Sequence, residues 1–120
     1  MKIVNPIAVA GEDLASKYLA KIGYTIIERN FRKNNGELDI VATHKGILVF
    51  VEVKTRTSDQ FGTPLESITP SKIRTITKTA QFYKLLHPKL PDSLRIDAIA
   101  VDLSIYNNPK IEHIENISGF

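Results

Sequence analysis

Two apolar, strand-like runs carry charged residues at alternate positions: Gly36-Glu37-Leu38-Asp39-Ile40-Val41 and Val49-Phe50-Val51-Glu52-Val53-Lys54. Side chains alternate across a strand, so Glu37 and Asp39 share one face of the first run, and Glu52 and Lys54 share one face of the second. The link, Thr43-His44-Lys45-Gly46-Ile47, is short and contains a glycine, which suits a hairpin. With Lys45 and Gly46 as the central turn residues, Asp39 falls opposite Glu52 and Glu37 opposite Lys54, and one face holds all four charges. Directly opposed Cβ atoms lie about 4.5–5.5 Å apart, close enough for two carboxylates to converge on one hard divalent cation at Mg–O distances of about 2.1 Å. Two carboxylates and a lysine can form a phosphodiesterase site.

A cross-strand Glu37–Lys54 ion pair, with Asp39 and Glu52 merely solvated at a sheet edge, accounts for half of this pattern. It leaves Asp39 against Glu52 unexplained, because like charges directly opposed in a half-buried sheet are destabilising without a counter-ion. On the opposite face, Leu38, Ile40 and Ala42 oppose Val53, Val51 and Val49, while Val41 and Phe50 continue the charged face as hydrophobic residues. Both faces of the hairpin are therefore expected to be largely buried, with the charges clustered at the end away from the turn.

The elements that must position this hairpin follow from periodicity. Ala8 to Ile22 carries Leu14, Tyr18, Leu19 and Ile22 at helical spacing, with Gly23 as a stop signal. Tyr24 to Phe31 is rich in β-formers and predicts a strand, followed by a polar turn from Arg32 to Gly36. Thr55 to Thr69 has no clean period and contains Gly62 and Pro64, which predicts a surface loop. Thr69-Pro70-Ser71-Lys72 opens a second helix, whose buried stripe is Ile73, Ile76, Ala80 and Tyr83 and which ends by Pro88. Ser93 to Leu103 predicts a further strand and Lys110 to Ile117 an edge strand. The order α-β-β-β-α-β-β implies an α/β fold with a mixed central sheet flanked by helices.

At 120 residues, 42% hydrophobic and 24% charged, the chain suits one globular domain over residues 1–120, and no apolar run approaches a membrane span. The amino terminus lacks the long apolar stretch of a secretory signal, which points to the cytoplasm. There are no cysteines, so disulfides and thiolate metal sites are excluded, and His44, His87 and His113 lack ligand spacing, which argues against zinc. The net charge of +3 favours a polyanionic partner, nucleic acid rather than membrane. Lys72, Arg74 and Lys78 on the second helix are candidate phosphate contacts, with a solvated basic face as the alternative. Arg56 stands with Lys54 at a basic strand end beside the acidic pair. Arg95 and Asp97 share a strand face, as a structural ion pair would.

Asp39 followed by Glu52-Val53-Lys54 resembles the PD-(D/E)xK signature of restriction-endonuclease-like nucleases, and the predicted order resembles the αβββαβ core of that fold. Arg29-Asn30-Phe31-Arg32, Gly36-Glu37-Leu38-Asp39-Ile40-Val41, Phe50-Val51-Glu52-Val53-Lys54-Thr55-Arg56, Phe61-Gly62 and Arg95-Ile96-Asp97 resemble the uncharacterised YraN-type family, which is similar to archaeal Holliday-junction resolvases. This likeness runs from the first helix to Val101. It implies Asp39 and Glu52 as ligands of Mg2+ or Mn2+, the Val53 carbonyl as a third, and Lys54 orienting or deprotonating the attacking water. It also maps onto Glu12 an acid of the first helix as a further metal ligand, for which favourable interaction with a helix amino terminus is the alternative. Glu37 and Gln81 are accessory candidates, although the tyrosine expected four residues after the glutamine is Leu85 here and Leu38 replaces the proline before the motif acid. The implied activity is metal-dependent cleavage of DNA, branched or structured DNA included, and cutting two strands implies a homodimer. A nucleic-acid-binding or complex-assembly protein that keeps the fold without catalysis is the alternative.

Overall fold

A computed structural model describes residues 5–58 and 67–120. Phe61-Gly62 and most of the expected loop before the second helix lie outside the described residues, as do residues 1–4. The order is α1 (Pro6–Lys21), β1 (Thr25–Lys33), β2 (Gly36–His44), β3 (Ile47–Arg56), α2 (Pro70–Leu86), β4 (Ser93–Asp102) and β5 (Lys110–Ile114). It follows the predicted succession element by element. The five strands form one mixed sheet in the order β1-β2-β3-β4-β5, parallel only between β3 and β4. Among the described residues no helix is long and apolar enough to cross a membrane.

Local signals explain most boundaries. Asn5 caps α1 by accepting hydrogen bonds from the Ile7 and Ala8 N–H groups at 3.0 and 3.3 Å, and Pro6 takes the first helical position, so the helix starts two residues before the expected Ala8. The Thr69 hydroxyl caps α2 through the Lys72 N–H at 3.1 Å. His87 Nδ1 lies 2.9 Å from the Tyr83 carbonyl oxygen, a capping contact at the far end of that helix. The β2–β3 turn closes on the pair His44↔Ile47, with Lys45 and Gly46 at φ 50° and 77°, the positive pair that a two-residue hairpin turn requires.

One helix covers each face of the sheet. Ala15 and Leu19 of α1 pack on Ile40, Ala42, Val49, Val51, Ile99 and Val101, while Ile76, Ala80 and Tyr83 of α2 pack on Leu38, Val41, Leu48, Phe50 and Ile96. Leu38 therefore does not share a face with Ile40 and Ala42, as strict alternation would have it. Alternation fails because β2 pairs with β3 only from Ile40 onward, and before that point Leu38 turns to the α2 side.

Gly11 sets how closely α1 lies on β3, since a Cβ there would collide with the Thr55 side chain. In an open helix Gly→Ala gains up to about 1 kcal/mol. Here Gly11→Ala is expected to lower stability by about 1–2 kcal/mol, because overpacking outweighs that gain. In a Thr55→Gly background, which removes the Cβ as well as the hydroxyl that a Cβ at Gly11 would meet, the same change should stabilise, which urea unfolding of the four variants tests directly. Stabilisation in the wild-type background would mean that the helix can move outward freely.

Candidate metal centre

The separation of β2 from β3 builds the site. A two-residue turn closed by His44↔Ile47 makes alternate opposed pairs hydrogen-bonded: that pair, Ala42↔Val49 and Ile40↔Val51, with Leu38↔Val53 next in line. The ladder stops at Ile40↔Val51, and the Val53 N–H donates instead to Asp39 Oδ2 at 2.8 Å. A side-chain carboxylate thus takes the place of the Leu38 carbonyl. The Val53 carbonyl, which shares its strand edge with that N–H, is left toward the same opening.

The opening is a cleft of about 390 Å³, lined among others by Glu37, Asp39, Glu52, Val53 and Lys54 from the hairpin, Glu12 from α1 and Lys72 from α2. All four charges of the hairpin therefore meet in one place. Glu52 has a side chain only 7% exposed, with Lys54 Nζ 4.0 Å from its Oε1 and Lys72 Nζ 4.0 Å from its Oε2. The pairing of Glu37 with Lys54 is not formed, because the strands have already parted. Glu37 instead holds Arg32 at 3.3 Å.

The electrostatics are those of charges crowded away from water. Burial first, and then the Glu52 carboxylate, push the Asp39 carboxyl up to about 7. Burial also raises Glu52, against the opposing pull of Lys72 and Lys54. With the Glu52 charge bearing on Asp39, the two carboxyl groups share a proton more readily than they ionise together. Glu12 is raised by burial and by Asp39, and is steadied by the Asn30 side chain and by Arg29, whose guanidinium lies 3.7 Å away. Glu12 stands beyond the first turn of α1, which contains no acid, so the helix amino terminus does not explain its placement.

Asp39 and Glu52 with the Val53 carbonyl make a set of hard oxygen donors, suited to Mg2+ or Mn2+ rather than to a soft metal. Among the described residues no three Asp, Glu or His side chains converge tightly enough to enclose an ion by themselves. A cation held here would keep open positions for water or substrate.

The other candidate residues lie apart from this cleft. Arg56 is ion-paired with Asp102 at 3.2 Å. Arg74, Lys78 and Gln81 flank a separate groove on α2 that also receives Phe120. Arg95 and Asp97 form the expected ion pair, at 2.8 Å. Asn30 and Arg32 went unassigned in the sequence, yet both line the metal cleft. Asn30 adopts φ 58°, a left-handed conformation that Asn tolerates better than most residues, and it lies in the Arg29-Asn30-Phe31-Arg32 motif. That motif was the available signal.

Residues 11–101 match the model of the uncharacterised protein family UPF0102. The chain is 46% identical to a UPF0102 protein of Geobacter sulfurreducens over 110 residues, covering 92% of this chain and 86% of that one. It is 48% identical to a relative from Persephonella marina over 88% of this chain and 87% of that one, and 44% identical to one from Syntrophomonas wolfei over 88% and 91%. The chain belongs to the UPF0102 family.

Proposed function

We propose that this UPF0102 protein is a Mg2+- or Mn2+-dependent nuclease of the PD-(D/E)xK kind, hydrolysing phosphodiester bonds in DNA, branched or otherwise structured DNA included. The observation that carries the reading is the Asp39–Glu52 pair, two carboxyl groups crowded at a break in the sheet with a lysine on the same strand. Such a pair weakens the fold unless something neutralises it. A surface that only bound phosphates would be repelled by it.

Asp39, Glu52 and the Val53 carbonyl would hold the cation, which when bound supplies Lewis acidity and orientation at the scissile phosphate. Lys54 sits 31% exposed at the rim, where its ammonium can orient the attacking water and stabilise charge developing on the phosphorane. Lys72 borders Glu52 from α2 and can take a non-bridging phosphate oxygen. Glu12, which lines the same cleft from α1, would reach the cation through a bound water rather than as a direct third carboxylate. Cutting both strands of a branched substrate takes two such sites and so two copies of the chain.

The test pairs calorimetric titration of Mn2+ with incubation of labelled linear, single-stranded and four-way-junction DNA. Wild type should bind Mn2+ saturably and cleave at least one substrate. Lys54→Ala should keep Mn2+ binding and cleave about 10²–10⁴-fold more slowly. If wild type binds no Mn2+ and leaves every substrate intact, the catalytic reading fails and a nucleic-acid-binding or complex-assembly role replaces it.

A further inference from the structure

A second cleft, of about 430 Å³, lies between the β1–β2 turn and α2. Its charged lining residues are Lys33 and Lys78, with Asn34, Asn35 and Thr75 as further polar groups and Phe82 at its end. It contains no acid. Its walls are fixed by a close approach: Gly36 is buried against Thr79, and a Cβ at Gly36 would collide with the Thr79 hydroxyl. The Lys33 ammonium lies 4.9 Å from the centre of the Phe82 ring, a cation–π contact that holds it at the cleft while Lys33 remains exposed.

This cleft continues the metal centre. The β1–β2 pair Arg32↔Glu37 borders the first cleft, and the next pair along the hairpin, Lys33↔Gly36, borders the second. On the other wall Lys72 of α2 belongs to the first cleft, and Thr75, Lys78, Thr79 and Phe82 follow at helical spacing into the second. Gly36 is three residues from Asp39, or about 10 Å of strand, which is about three base steps of duplex rise. A strand whose phosphodiester meets Asp39 and Glu52 would carry its flanking phosphates from an acidic, metal-requiring cleft into a purely basic one.

We infer that the cleft between the Asn34-Asn35 turn and α2 is a backbone subsite for the nucleic-acid strand cut at the metal centre, with Lys33 and Lys78 contacting phosphates that flank the scissile one. The inference rests on the nuclease reading. The subsite would add affinity and set the direction in which a strand lies across Asp39 and Glu52. It reads phosphates, not bases, and so adds no sequence preference.

The test measures fluorescence anisotropy of labelled single-stranded and duplex DNA, in EDTA so that nothing is cut, across a series of salt concentrations. The proteins are wild type, Lys33→Ala/Lys78→Ala, and Lys17→Ala/Lys21→Ala, which removes the same charge from the exposed surface of α1. Losing two phosphate contacts should weaken binding about 10–100-fold at low salt and reduce the slope of log K against log salt by about 1.4 for single strands and 1.8 for duplex. The α1 variant, which loses the same charge but lines neither cleft, should change affinity by less than about twofold at about 0.15 M salt, where the Debye length is only about 8 Å. Equal losses in both variants, no loss in either, or no binding by wild type would each overturn the subsite. Mn2+ calorimetry on the same proteins judges the metal centre separately. Unchanged Mn2+ binding with unchanged DNA affinity removes only the subsite, whereas absent Mn2+ binding with a selective loss in Lys33→Ala/Lys78→Ala removes the nuclease reading and leaves the cleft a phosphate-binding groove without a cut strand.

Discussion

Asp39→Asn is expected to weaken divalent-cation binding severely and, in the same protein, to raise the stability of the metal-free fold at pH 8. The amide keeps an oxygen to accept the Val53 N–H bond and removes the charge that confronts Glu52. The Asp39 carboxyl titrates near 7 in the folded chain against 3.8 for an ordinary aspartate, so the folded state holds its proton longer than the unfolded state does. Stability then falls as pH rises between those values, and above 7 the full penalty is present. Because Glu52 shares the strain, the gain from Asp39→Asn should be about 1–3 kcal/mol at pH 8 and near zero at pH 4. Mn2+ affinity should drop by at least about 100-fold, since even groups that only orient a ligand are worth 10–100-fold. Thermal unfolding at the two pH values, with and without Mn2+, separates the effects. A variant less stable than wild type at pH 8 would mean that the Asp39 charge holds β2 and β3 together, and the functional reading of the pair would lose its basis.

The hairpin and its register were legible because they depend on local chemistry: a Lys-Gly turn, β-branched runs and the alternation of charge with apolar residues. The same alternation failed at Leu38. There the deciding event is non-local, a carboxylate taking the Val53 N–H in place of a backbone carbonyl, which unzips the last rungs of the ladder. It also explains why Glu37 met Arg32 instead of Lys54. Glu12 was legible only through resemblance, because its approach to Asp39 depends on α1 lying against β3 at Gly11. Lys72 and Arg74 looked equivalent in sequence, yet the buried stripe of Ile76, Ala80 and Tyr83 divides the exposed surface of α2 into two flanks. One flank borders Glu52 and the other the groove with Phe120, and no pattern of charge along a helix reveals which flank meets which neighbour.

Asp97→Asn should destabilise the protein more than any change at the metal centre, and should leave Mn2+ binding intact. Asp97 is fully buried on the α1 face of the sheet, where Val51 is its neighbour in the ladder, whereas Glu52 faces the other way. Arg95 donates to Asp97 at 2.8 Å, His113 Nε2 lies 2.8 Å from it, the Asn116 N–H donates at 3.0 Å and the Tyr24 hydroxyl at 3.2 Å. Burial alone would raise this carboxyl, but the hydrogen bonds from His113, Arg95 and Asn116 outweigh it and hold it at about 2. The contribution to stability is therefore present above 3.8 and is lost as pH falls toward 2, the opposite sign and a lower window than for Asp39. Removing one partner from a buried, hydrogen-bonded ion pair costs about 3–5 kcal/mol, which in a chain of this size lowers Tm by about 10–20 °C. Arg95→Met should cost less, because Asp97 keeps His113, Tyr24 and the Asn116 N–H. His113 and Asn116 belong to β5 and the segment after it, so hydrogen exchange in Asp97→Asn should rise first over 110–117. If Arg95→Met proves the more damaging, the network is centred on the guanidinium, and the carboxylate is not what fastens β5 to the sheet. Asp97 and Asp39 are thus distinguished by the sign of their effect on folding: Asp97 is matched by donors within the chain, while Asp39, crowded by Glu52, keeps a demand for positive charge, since Lys54 and Lys72 pair with Glu52 rather than with it.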